Sequence, residues 1–152
     1  MTGTEDEGGI HAISLYREGM TEKRRIETTT APPSRPQFSQ GVRKGNVLQT
    51  AGQVGTDLAT GAFADDVEGQ TELALQHVKT VLEAGGASFD DVIMVRVYLR
   101  AGGDFDRMNA VYDQYVPGWC PSGILPARTT VATDFASTSI LVEIDALAVV
   151  GD

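Results

Sequence analysis

Hydrophobic positions along the chain switch between a period of two and a period near 3.6, and the switches mark its elements. Phe38 to Val42 and Asn46 to Ala51 predict two strands joined by a turn at Arg43-Lys44-Gly45-Asn46. From Asp65 the period lengthens: Val67, Ala74, Leu75, Val78, Val81 and Leu82 keep helical spacing. Asp65 with Glu68 makes a capping pair for this helix, and Gly85-Gly86 stops it. Val92 to Leu99 alternates again, with Met94, Arg96 and Tyr98 between apolar positions, and predicts a strand at least half buried on both faces. Asp104 caps a second helix, on which Phe105, Met108, Tyr112 and Tyr115 form one stripe and are expected in the core; Pro117-Gly118 ends it. Ala127 to Thr133 and Ser139 to Val150 are the last strands, and both read as deeply buried. In the final one Ile140, Val142, Ile144, Ala146, Ala148 and Val150 face one way, while Leu141, Glu143, Asp145, Leu147 and Val149 face the other. The order β-β-α-β-α-β-β predicts an α+β fold, one sheet with two helices on one face. The second sheet face is still apolar, with no helix left to cover it, so another subunit is expected there.

Residues 1–35 lack this periodicity, and Ala31-Pro32-Pro33-Ser34-Arg35-Pro36 is a cluster of breakers. They are expected to form a tail or partly extended arm, with Met20 as a candidate internal start, before a single domain over 36–152. In Ala51-Gly52-Gln53-Val54-Gly55 two glycines permit a close backbone approach or mark a bulge. Asp57 to Gly61 reads as a turn.

Composition narrows the chemistry. The formal charge of -9 over 152 residues argues against binding nucleic acid or an anionic membrane, and Lys23-Arg24-Arg25 reads as a short solvated run. No apolar run is long enough for a transmembrane helix. Cys120 is the only cysteine, which suits a reducing cytoplasm, and is expected to be inert. His11 and His77 lie far apart; His77, beside the first helix's apolar stripe, is expected to be structural or exposed. Metal-binding spacings, a nucleophile elbow, a P-loop and a dinucleotide fingerprint are all absent from the sequence.

What remains is a cation and two carboxylates set within apolar strands: Arg128 in Leu125 to Val131, and Glu143 and Asp145 in the last strand. Such charges are costly unless paired or used. Arg128 and Thr130 share a strand face by alternation. If Glu143 opens on the same cavity, the site holds a carboxylate fork, an acid that can hold water or move a proton, and the backbone at Gly52. Asn109 lies beside the second helix's stripe, within reach of such a site. The alternative is that Arg128 and Glu143 only neutralise each other as a buried pair.

Four stretches taken together resemble the Rid (YjgF/YER057c/UK114) family over roughly residues 36–150: Ala51-Gly52-Gln53-Val54-Gly55, Asn109-Ala110-Val111-Tyr112, Pro126-Ala127-Arg128-Thr129-Thr130-Val131 and Val142-Glu143-Ile144-Asp145-Ala146. The resemblance implies a chorismate-mutase-like fold and a homotrimer with sites at the subunit clefts. It implies hydrolysis of reactive 2-imino or enamine acids to 2-keto acids and ammonia, without cofactor or metal. By the same resemblance Arg128 matches the arginine that clamps the substrate carboxylate, and Glu143 the glutamate that orients the attacking water. Phe38, Ala51, Gly52, Asn109 and Thr130 fall at substrate-binding positions. Thr130 stands where these deaminases usually carry Cys, Ala51 where many carry Ser, and Phe38 where many carry Tyr. The apolar replacements at Ala51 and Phe38 make the implied pocket less polar. They leave two alternatives: a pathway-specific hydrolase or tautomerase on the same scaffold, or a non-catalytic protein that binds small carboxylates. Some relatives are described as endoribonucleases, which the acidic charge and the lack of a histidine pair disfavour.

Overall fold

The computed structural model describes residues 22–102 and 104–151. Its strands are β1 (Lys23–Ile26), β2 (Gly41–Lys44), β3 (Val47–Thr50), β4 (Gln53–Val54), β5 (Val92–Arg100), β6 (Ala127–Thr133) and β7 (Val142–Val149). Its α-helices are α1 (Val67–Ala84) and α2 (Phe105–Tyr115). The sheet runs β1-β2-β3-β7-β5-β6, with β4 also paired to β7. Only β5 and β6 are parallel, joined through α2, so the sheet is mixed.

Alternation decides the two faces. On β7, Val142, Ile144, Ala146 and Ala148 are fully buried. They form one core with Val95, Val97 and Leu99 of β5, with Ala74, Leu75, Val78, Val81 and Leu82 of α1, and with Met108 and Tyr112 of α2. Each fully buried Val or Leu there contributes about 1.5–3 kcal/mol, so this face carries most of the stability. On the opposite face no described helix covers Glu143, Leu147 and Val149 of β7, which are only partly buried, and Val47 and Val131 are 44% and 42% exposed.

Several expected boundaries move. Asp66 rather than Asp65 caps α1, with its carboxylate accepting from the Gly69 N–H, so Glu68 takes no part in a capping box. Glu68 instead pairs with Arg107 of α2, tying the helices together. The last turn of α1 has no basic residue of its own; Arg43 of β2 donates to the Gly85 carbonyl. Phe38 precedes the second strand, which begins at Gly41, and the final strand begins at Val142 rather than Ser139. Asp57 to Gly61 is the expected turn: the Asp57 side chain accepts from the Ala59 and Thr60 N–H groups, and Gly61 sits at φ +71.

Part of the segment expected as an arm is strand. Lys23–Ile26 pairs with β2 as an edge strand, and Ile26 and Ala31 enter the core. Gln40, buried, ties the return segment down by donating to the carbonyls of Thr28 and Pro32 and accepting from the Thr28 N–H. Lys23, Arg24 and Arg25 are exposed, so the basic run is solvated as expected but lies in a strand. Met20 and the earlier part of the arm lie outside the described residues.

Candidate active site

β6 was expected to be deeply buried, yet it is an edge strand, with Val131 exposed and only Arg128, Thr130 and Thr133 partly covered. Its register fixes where Arg128 points. Arg128 pairs with Val95 and Thr130 with Val97, so both share the helix side of the sheet with the core. The guanidinium carbon of Arg128 lies 4.5 Å from the centroid of the Tyr112 ring and 5.9 Å from that of Phe105. Asn109 sits between those rings on the same stripe of α2, and its amide reaches Asp113. Thr130 Oγ1 is buried without a hydrogen-bond partner among the described residues.

Phe105 thus leaves the core expected for it and stands 45% exposed beside Arg128, whereas Met108 and Tyr112 are buried as expected. Tyr115 is partly buried and donates to Glu72 of α1.

Glu143 is on the other face. It pairs with Tyr98 of β5 and Val54 of β4, one position out of phase with the buried Val142 and Ile144. Arg128 and Glu143 therefore lie on opposite faces of one chain's sheet. Among the described residues neither belongs to an ion pair. The buried-pair alternative does not hold within the chain, and neither does a single intrachain cavity lined by both.

Glu143 is placed by a bulge. From Gln49 to Gln53 the chain advances four residues, while its partners on β7 advance three, from Leu147 to Ile144. Within the bulge Thr50 Oγ1 accepts from the Ala146 N–H, replacing a ladder bond. Gly52 follows, and a Cβ built there would lie 2.0 Å from Glu143 Oε1. Gly52 is thus bare because the carboxylate occupies that space. Gly55 meets a different neighbour: its added Cβ would fall 2.2 Å from Gln70 Cα, where β4 crosses α1. Ala51 adjoins the bulge and donates its N–H to the Gln40 carbonyl. Phe38, 50% exposed, stands in the loop before β2.

Burial pushes the Glu143 carboxyl above its ordinary range, and the negative charge of Asp145 adds to the effect. Asp145 has a cation of its own. Arg96 of β5 pairs with Asp145 at 2.6 Å and also donates to Gln49, and Gln49 donates to Asp145. This Arg96–Asp145–Gln49 cluster was not anticipated. The signal was present, since Arg96 is a cation on the non-core face of β5 and pairs in register with Asp145 of β7. The stacking of Phe105 and Tyr112 on Arg128 was also missed, because an aromatic stripe at helical spacing reads as core.

Cys120 is buried with its thiol pushed up by burial. His77 is buried, bonds the Thr56 carbonyl at 2.8 Å, and burial lowers its pKa. Among the described residues no group of acids, histidines and cysteines could hold a metal ion, and no helix is long and apolar enough to cross a membrane.

Among the described residues the arrangement offers a guanidinium fork with no ion-pair partner at one edge, and a carboxylate with none beside bare backbone on the open face. The family model described as Endoribonuclease L-PSP matches residues 28–150. A RutC family protein of Pyrococcus horikoshii is 39% identical over 124 residues, covering 81% of this chain and 94% of that protein. The 2-iminobutanoate/2-iminopropanoate deaminase of Salmonella typhimurium is 33% identical over 124 residues, covering 82% and 95%. The crystal structure of Escherichia coli TdcF with bound serine superposes with a TM-score of 0.78 at 32% identity, covering 84% of this chain and 99% of that one. Sequence, fold and solved relatives agree, and the chain belongs to the YjgF/Rid family.

Proposed function

We propose that the protein hydrolyses reactive 2-imino or enamine acids to 2-keto acids and ammonia, as a homotrimer whose sites lie between subunits. The observation that carries this reading is Arg128: a guanidinium stacked on aromatic rings, with no carboxylate partner among the described residues. A planar fork in that state suits a substrate carboxylate. Relatives named as 2-iminobutanoate/2-iminopropanoate deaminases supply the reaction class.

Placement on opposite faces supports the intersubunit part. Arg128 on the edge strand of one chain would meet Glu143 and Gly52 on the open face of a neighbour, which would also cover Val131 and Val47. In such a site Arg128 fixes the carboxylate of the imino acid. Water held by Glu143 adds to the imine carbon, its proton passing through the carboxylate to the nitrogen, and the carbinolamine collapses to the keto acid and ammonia. A carboxylate raised by burial is the stronger base for this step. No cofactor or metal is invoked. The imine already reacts with water, so a fixed cation and an oriented water, each worth a few kcal/mol, are sufficient.

The substrate itself is read from the departures. Ala51 and Phe38 each lack the hydroxyl usual in these deaminases, which makes the surroundings less polar and favours a bulkier, more apolar imino acid, as a pathway-specific enzyme would need. Phosphodiester cleavage, suggested by the family model's description, is disfavoured by the net charge of -9 and the burial of His77.

The test is ammonia release from an imine generated in situ from an amino acid. Arg128→Ala should abolish the acceleration. Acceleration retained by that variant contradicts the clamp. A 2-keto acid that binds and raises the melting temperature with no turnover of any imine would instead leave a carboxylate-binding protein.

A further inference from the structure

A carboxylate partner would fix the orientation of Arg128, but it would occupy the donors a substrate needs. A long side chain with no partner would sample many rotamers. The structure shows a third solution. The guanidinium carbon lies 4.5 Å from the centroid of the Tyr112 ring and 5.9 Å from that of the Phe105 ring, both within cation–π range. Stacking restrains the plane of the fork through its face and leaves its in-plane N–H donors free.

We propose that Tyr112, assisted by Phe105, is a positioning residue: the ring stack holds the Arg128 guanidinium in a fixed plane, ready for the substrate carboxylate. This rests on the deaminase reading above and adds how its clamp is kept both rigid and unpaired.

Three features of the molecule support it. Tyr112 is itself immobilised, 5% exposed in the middle of α2 and packed in the core with Met108 and Val116. Burial pushes its phenol up to about 12, so the ring stays neutral and supplies no counter-charge to Arg128 at physiological pH. Phe105, a large apolar ring left 45% exposed at the start of α2, lies with its centroid 5.9 Å from the Arg128 guanidinium carbon. The stack explains an exposure that core packing does not. Phe105, Asn109 and Tyr112 fall at i, i+4 and i+7, so one face of α2 presents the whole set to β6.

The experiment uses the full chain and measures KM and kcat for imine hydrolysis, with the dissociation constant of a 2-keto acid determined by calorimetry. Tyr112→Leu keeps bulk and loses the ring; KM and the dissociation constant should rise about tenfold with kcat little changed. Tyr112→Phe keeps the ring and should rescue both to within about twofold of the parent. Phe105→Leu should raise KM by about threefold, and it carries the test if Tyr112→Leu does not fold. Unchanged KM and keto-acid binding in the leucine variants overturn the proposal. So does a Tyr112→Phe variant as impaired as Tyr112→Leu, which would assign the role to the hydroxyl. Arg128→Ala separates the two levels. If it abolishes keto-acid binding while the leucine variants do not weaken it, positioning fails and the clamp stands. If Arg128→Ala leaves binding intact, the deaminase reading fails and takes positioning with it.

Discussion

Glu143 holds its proton more tightly in the folded chain than in the unfolded one, because burial and Asp145 both disfavour the charge. The sign follows. Above its raised pKa the ionised carboxylate costs stability; that cost shrinks as pH falls and is gone below the ordinary value of 4.5. Glu143→Gln should therefore melt higher than the parent near pH 8 and equal it near pH 4, while losing catalysis. Equal melting at both pH values would mean that the fold does not strain this charge. In the parent, the acid limb of kcat/KM should likewise lie above 4.5, since the base must be ionised. Gly52 gives a complementary test. Its added Cβ would collide with the far end of a flexible side chain, 2.0 Å from Oε1, so Gly52→Ala should fold with a melting temperature near the parent's. The carboxylate would have to move, and kcat should fall at least roughly tenfold. Retained kcat would remove Gly52 and the position of Glu143 from the account.

At the scale of elements, the sheet–helix crossing near Gly55 is the more fragile feature. Here the Cβ would meet Gln70 backbone at 2.2 Å, and neither β4 nor α1 can yield without disturbing the other. Gly55→Ala should destabilise by about 3 kcal/mol, seen as a shifted urea midpoint with unchanged slope. The elements themselves were largely legible. The alternation of β7 and the stripe of α1 each repeat one period over enough residues to leave one reading. β1 was not legible, because Lys23, Arg24 and Arg25 are all exposed on an edge strand and only Ile26 is buried; pairing with β2, not side-chain pattern, makes it a strand. Asp65 and Asp66 are equivalent as letters, and only the backbone at Asp66, extended at φ -130 and ψ 168, selects the cap. Phe105 kept its helical phase but left the core because it lies in the first turn, facing the edge strand.

At the scale of the molecule, the candidate site was half legible. Arg128 and Glu143 could be picked out as charges in apolar strands, and Thr130 and Arg128 do share a face. That Arg128 and Glu143 face apart could not be read, because it depends on the register of β6 against β5 and of β5 against β7. That placement makes a second chain part of the functional proposal rather than an accessory to it. The apolar face left open over Val47, Val131 and Leu147 is where the neighbour would sit. The most direct measurement mixes two inactive variants, Arg128→Ala and Glu143→Gln, after dissociation and reassembly. If each site takes Arg128 from one chain and Glu143 from the next, roughly a quarter of the sites in a random mixture are intact, and imine hydrolysis should return to about that fraction of the parent rate. If both groups act from the same chain, every site carries a lesion. A reassembled mixture as inactive as its components would contradict the account.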